Sequence, residues 1–265
     1  MSGLAGRGDG RIGKIMTWHP VFFMIGLLAI GAPAAAQSFS ADYSVSLLGI
    51  PVARSSFTTT IDGDRFDVSG TLSSAGIAKI FDDTEGTTSS SGRFVEAAAQ
   101  PDAYLVRYTS GSKNKKTAIA FSNGVVTSTE NVPPLKKRKN WVALGDGDLK
   151  SVADPLSATL VRAPSLAEVC DRTLKIFDGE MRADLELTPV SNEALWPGQH
   201  EGEAITCRAR FVPVSGYRPG HKSLEFLKNK SKILIAFAPL GATGVYAPVQ
   251  ASVSTEIGTL RIQAR

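Results

Sequence analysis

Apolar and polar residues alternate with a period of two through most of this chain, and Gly-containing turns break the alternation at short intervals. Such a pattern places every second side chain on one face of an extended strand, which is how a half-buried sheet is written in sequence. Tyr43, Val45 and Leu47 alternate with Asp42, Ser44 and Ser46. Phe57, Thr59 and Ile61 give way to Phe66, Val68, Gly70 and Leu72 across Asp62-Gly63. Gly tolerates the positive φ that a tight primed turn demands, so Asp62-Gly63 reads as a hairpin. "TAIAFSNGVVTS" repeats the pattern around Asn123-Gly124, and "TLKIFDGEMRADLEL" repeats it around Asp178-Gly179. Later strands are expected at Glu203–Val212, Lys232–Ala238, Val245–Ser254 and Thr259–Gln263. A chain with many hairpins and few helices forms antiparallel sheets, barrels or sandwiches.

Two segments depart from that pattern. "AGIAKIF", Ala75–Phe81, is apolar at helical spacing and predicts a short helix. "DPLSATLVRA", Asp154–Ala163, opens with Asp at an N-cap and Pro in the first turn, which predicts a second helix. Leu156, Leu160 and Val161 would share one face of it and plug or cover the sheet. The stretch 131–151 is polar and turn-rich and reads as a long loop.

The N-terminus bears on compartment. Arg7, Arg11 and Lys14 precede the apolar run "VFFMIGLLAIGA" (Val21–Ala32), then Pro33 and Ala34-Ala35-Ala36. An apolar stretch of about a dozen residues ending in an A-x-A pattern is too short for a bilayer of about 30 Å and matches a secretory signal. Cleavage is expected after Ala36, leaving Gln37 first; Met16 is a second candidate start. No cysteine lies near the cleavage point, which disfavours a lipid anchor. Removing residues 1–36 takes three basic residues and one acidic one, so the net charge falls from +4 to +2 over 229 residues. A chain so near neutrality gives no electrostatic reason to bind nucleic acid. A single domain spanning 37–265 fits this length. No later apolar run reaches about 18 residues, so no transmembrane helix is expected.

Cys170 and Cys207 are the only cysteines. In an exported chain an even pair reads as a disulfide, here closing a loop worth about 3–4 kcal/mol in the chain-entropy account. Cys170 shares parity with Leu174 and Ile176, and Cys207 with Ile205, Ala209 and Phe211, so both sulfurs point to the core. The geometry has a difficulty. A two-residue turn at Asp178-Gly179 pairs Cys170 with Leu187 and puts Cys207 a further strand away. Two strand spacings make about 9.5 Å, more than the Cα separation of about 7 Å that a disulfide tolerates. Either Cys170 sits off the ladder just before its strand, the favoured solution, or the sheet is not a simple meander.

Motifs for chemistry are sparse. Asp178 and Glu180 could be an acid pair, but Asp178 is better explained as a turn residue. Asp146-Gly147-Asp148 and Asp62-Gly63-Asp64 do not continue into a twelve-residue calcium loop with its terminal glutamate. His200 and His221 lack zinc-ligand spacing. No G-x-S-x-G elbow, glycine-rich phosphate loop or dinucleotide fingerprint occurs. No catalytic residues, metal ligands or cofactors are therefore assigned. The basic clusters Lys113/Lys115/Lys116 and Lys136-Lys137-Arg138-Lys139 suit solvated loops that keep edges soluble; their functional reading is contact with anionic lipid headgroups or acidic glycans, the latter with Trp141 stacking nearby.

"YSVSLLGIPVARSSFTTTIDGDRFDVSGTLSSAGIAKIF", "DPLSATL", "CDRTLKIFDGEMRADLEL", "CRARFVPVSGYRP" and "VQASVSTEIGTLRI" together resemble the bacterial exported proteins grouped as domain of unknown function 3108. The likeness runs from about Phe39 to Ile262. It carries no catalytic residues over. It implies a curved antiparallel sheet around a helix, similar to the half-barrels of periplasmic lipoprotein carriers.

The fold expected is thus mainly β, an incomplete or spiral barrel with one plug helix and a Cys170–Cys207 disulfide. The function expected is that of a periplasmic, non-enzymatic envelope protein. It would bind a hydrophobic or amphipathic ligand, such as a lipid or lipoprotein-like molecule, or an envelope partner, in its concave face. The alternatives are a structural or interaction protein acting through edges or basic loops and, third, an enzyme on cell-wall glycans.

Overall fold

The computed structural model describes residues 35–76, 79, 83–136, 139–190 and 202–265. The signal segment, His200, most of the helix expected over Ala75–Phe81 and residues 137–138 of the basic loop lie outside them.

The period-two segments are strands of one antiparallel sheet. Its first half is a continuous meander of β1 (Gln37–Leu47), β2 (Ile50–Asp62), β3 (Arg65–Ser74), β4 (Thr84–Val95), β5 (Ala98–Ser110), β6 (Lys113–Ser122) and β7 (Val125–Val132). The second half holds β8 (Val161–Arg162), β9 (Arg172–Phe177), β10 (Arg182–Pro189), β11 (Ile205–Ser215), β12 (Ile233–Pro239), β13 (Val245–Thr255) and β14 (Gly258–Ala264). Strands β1 and β14 pair, with Tyr43 opposite Ala264 and Leu47 opposite Leu260. The two meanders therefore join at the chain ends and leave β7 and β9 as the outer strands of an open path. The short β8 lies on β13. Tight turns do what the sequence requires of them: Ser122 pairs with Val125 across Asn123-Gly124, whose φ angles are +50° and +74°.

The sheet is curled and not closed by strand pairing, but a strap spans the gap between its edges. On one side Val126 N–H donates to the Leu149 carbonyl and Val152 N–H to the Gly124 carbonyl. On the other, Ala153 N–H donates to the Lys175 carbonyl and Phe177 N–H to the Ala153 carbonyl. Residues 149–153 thus supply the backbone partners that two exposed edges would lack. The end of the stretch expected to be a long loop is therefore ordered by both edges.

Beyond the strap the chain turns inward, though not as the helix expected over Asp154–Ala163. It forms a single 3-10 turn, Ser157–Thr159, then becomes extended at Leu160 (φ −85°, ψ 109°) so that Val161 and Arg162 pair with β13. Competition decides this: helix propensity over ten residues is weak, and sheet pairing by a β-branched valine in the core outweighs it. Leu156 and Leu160 pack with Ile61, Phe66 and Phe94, whereas Val161 faces a different cluster around the disulfide. The three residues therefore do not share one face. The plug is real but is a turn and a short strand. An α-helix fully within the described residues is α1 (Lys222–Asn229), packed beside β11 and β13.

Cys170 and Cys207 are joined, with Cα atoms 5.6 Å apart. The distance difficulty resolves by Cys170 lying before its strand. The loop at Asp178-Gly179 holds residues 178–181, not two, so Phe177 pairs with Arg182 and Arg172 with Leu187. Asp171, at φ +66°, turns the chain, and Cys170 then reaches past β10 to Cys207 on β11. Both cysteines are buried beside Leu187, Ala209 and Phe237. Among the described residues, no helix is long and apolar enough to cross a membrane.

Candidate functional site

Three cross-strand pairs give the inner face its shape: Phe57 opposite Gly70, Phe66 opposite Gly92, and Tyr108 opposite Gly86. A Cβ on Gly70 would lie 2.3 Å from the Phe57 ring, and one on Gly86 would lie 2.7 Å from the Tyr108 Cβ. The Phe57 and Phe66 rings therefore lie over residues with no side chain, and the Tyr108 strand approaches Gly86 too closely for a Cβ there. Between the two glycines the inner residues of β4, Thr88 and Ser90, are small; Phe94 beyond them is part of the core. Side chains consequently leave a cavity of about 530 Å³ on the concave face, within the range of about 300–1,000 Å³ common for small-molecule sites.

The walls of the cavity come from β1 to β5, β13, β14 and the plug. Val45, Phe57, Val68, Val106, Leu156 and Ile262 are among its apolar lining. That strands from opposite halves of the sheet line one volume shows how far it curls. Its polar groups are uncharged hydroxyls of Ser, Thr and Tyr. The Tyr43 hydroxyl donates to the Pro248 carbonyl at 2.7 Å. Burial raises the Tyr43 phenol above its usual range and pushes Tyr104 up to about 12, so both remain neutral hydrogen-bonding groups at ordinary pH. The plug is pinned from beneath by Asp154, which is fully buried. Its Oδ1 accepts the Leu156 and Ser157 N–H groups, and its Oδ2 contacts the Ser90 and Ser157 hydroxyls at 2.7 and 2.5 Å. Burial pushes this carboxyl above the usual aspartate range, against the pull of those four groups.

The structure disperses the acidic candidates. Asp178 Oδ1 accepts the Glu180 and Met181 N–H groups at 2.8 and 2.7 Å, which fixes the hairpin loop. Asp64 binds Arg162, and Asp148 accepts the Gly145 N–H. Among the described residues, no group of three or more His, Cys, Asp or Glu could hold a metal ion. The basic cluster is split by strand parity: Lys113 and Lys115 project on the cavity face of β6, and Lys116 projects on the other, where it binds Glu130 at 2.6 Å. The cavity residues themselves were not assigned from sequence. Parity of the alternating segments carries the signal, since Tyr43, Val45, Phe57 and Val68 all sit on their strands' apolar side.

The family model described as "Protein of unknown function (DUF3108)" matches residues 41–265. The chain belongs to this family. The DUF3108 match begins within β1 and runs to the last residue, so the curled sheet, the strap, the plug and the disulfide all fall inside the family's region. No curated protein and no solved structure shows significant similarity to the chain.

Proposed function

We propose that this DUF3108 protein is a non-enzymatic binding protein of the bacterial periplasm that holds the apolar part of an amphipathic ligand in its concave cavity. The observation that carries this reading is the cavity: about 530 Å³, walled by aliphatic and aromatic side chains and neutral hydroxyls, with no charged residue in its lining. A packed interior leaves few voids larger than a water molecule, so a volume of this size, held open by glycine–aromatic pairs, suits a guest. The periplasmic assignment is supported by the N-terminal signal pattern, by the disulfide and by β1 beginning at Gln37, the residue that cleavage after Ala36 would leave first.

The test is native mass spectrometry of delipidated protein titrated with a monoacyl lipid. Wild type should take up one lipid, and Leu156→Trp, which puts an indole into the cavity wall, should not while keeping its disulfide and its far-UV circular dichroism. Absence of uptake by wild type, or equal uptake by Leu156→Trp, refutes the reading.

A further inference from the structure

One row of directly opposed residues crosses the cavity from β1 to β6. Tyr43 stands opposite Ser55, Ser55 opposite Leu72, Leu72 opposite Gly86, Gly86 opposite Tyr108, and Tyr108 opposite Lys115. The first five members all line the cavity. Lys115 is the next position in the row, about one strand spacing of 4.8 Å further on, and its ammonium lies over the Tyr108 ring at 5.3 Å from the centroid. Lys113 follows on the same face of β6, opposite Ser110.

The placement of charge is selective. Strands β1 to β5 and β14 carry Arg54, Asp42, Asp62, Arg65, Asp67, Glu85, Arg93, Arg107 and Arg261, which register puts on the face away from the cavity, and Asp102, which is exposed at the β5 bulge with no register partner. Lys113 and Lys115 break that rule. Neither has a carboxylate partner among the described residues, whereas their neighbour Lys116 is neutralised by Glu130. Leu72, midway along the row, is 42% exposed. The row thus reaches solvent at Leu72, on the same face of the sheet as the two cations.

We infer that the cavity's guest is an anionic amphiphile, its acyl chain lying against the Tyr43–Tyr108 row and its negatively charged headgroup held at the mouth by Lys115 and Lys113. This rests on the binding function proposed above and names the ligand class. An ammonium stacked on a phenol ring is partly pre-ordered, and a charge-assisted hydrogen bond to phosphate or carboxylate is stronger than a neutral one.

Two monoacyl phospholipids with the same chain separate the claims: lysophosphatidylglycerol, with an anionic head, and lysophosphatidylcholine, with a zwitterionic one. Wild type should bind the glycerol lipid about tenfold more tightly, with the advantage shrinking as salt is raised. Lys113→Ala/Lys115→Ala should lose that advantage and keep its affinity for the choline lipid. Equal affinities in wild type, or an undiminished preference in the double variant, overturn the headgroup assignment and leave the cavity reading standing. Binding of neither lipid by wild type overturns both.

Discussion

Asp154 tests how the plug is held in the sheet. Its carboxyl is fully buried, with two backbone N–H groups on one oxygen and two serine hydroxyls on the other. Asp154→Ala strands both hydroxyls, at about 1 kcal/mol each, and removes a cap worth about 1–2 kcal/mol; the sum is about 3–4 kcal/mol. For a chain of this size that lowers the thermal midpoint by about 10 °C. Asp154→Asn is different. Its carbonyl oxygen still accepts both N–H groups, and its amide N–H₂ can donate to the Ser90 and Ser157 oxygens, so each partner keeps one hydrogen bond and the cost is smaller than that of Ala. The pH dependence follows from the raised carboxyl. A folded state that holds this proton more tightly than the unfolded chain has its full stability below the ordinary value of 3.8. That contribution is lost as pH rises toward the raised value. Asparagine has no such slope, so the variant should gain on wild type as pH rises. Urea unfolding of wild type and both variants from acid to neutral pH reads all of this. Equal losses for Ala and Asn, or an Ala cost below about 1 kcal/mol, would refute the claim that hydrogen-bond satisfaction holds the plug.

Two further outcomes follow from covalent and backbone geometry. Cys170→Ala/Cys207→Ala opens a loop whose ends are 37 residues apart, and urea unfolding should show a loss of about 4 kcal/mol; a loss under 1 kcal/mol would mean the unfolded chain is already restricted there. Gly216 sits at φ +74°, where an added Cβ would lie 1.9 Å from the Glu180 carbonyl oxygen. Gly216→Ala should therefore cost at least about 3 kcal/mol, and a near-neutral melt would show that the Glu180 loop can move away.

What the sequence made legible was whatever obeys a short-range rule. Asn123-Gly124 marks its turn because two adjacent positive φ angles admit few other residue pairs. Strands β11 to β14 were readable from their alternation to within a few residues. Strand β4, "TEGTTSSSGRFV", was not. It has little apolar alternation because its inner positions from Gly86 to Gly92 are kept small for Phe66 of β3 and Tyr108 of β5, a requirement imposed by neighbours distant in sequence. The length of the 178–181 loop was misjudged for a related reason: Asp178 caps Glu180 and Met181 with its own side chain, which stabilises a wider loop than Asp-Gly alone suggests. Lys113, Lys115 and Lys116 read as one basic patch, since nothing in a linear run shows that the last is neutralised across the ladder by Glu130. A concave binding face is expected from the sequence, but the lining of its cavity is not legible there, being a volume between residues that no single segment contains.

The strap has a mechanical consequence. A barrel closed by a full strand ladder resists widening with every bond of that ladder, but here the circumference is completed by a few backbone bonds from residues 149–153. That seam can part while each of the long ladders stays intact, which places it at the low end of local opening free energies. The diameter of the molecule is thus least fixed along the line between Val126 and Phe177, and any swelling forced on it by a bulky guest would be taken up there first.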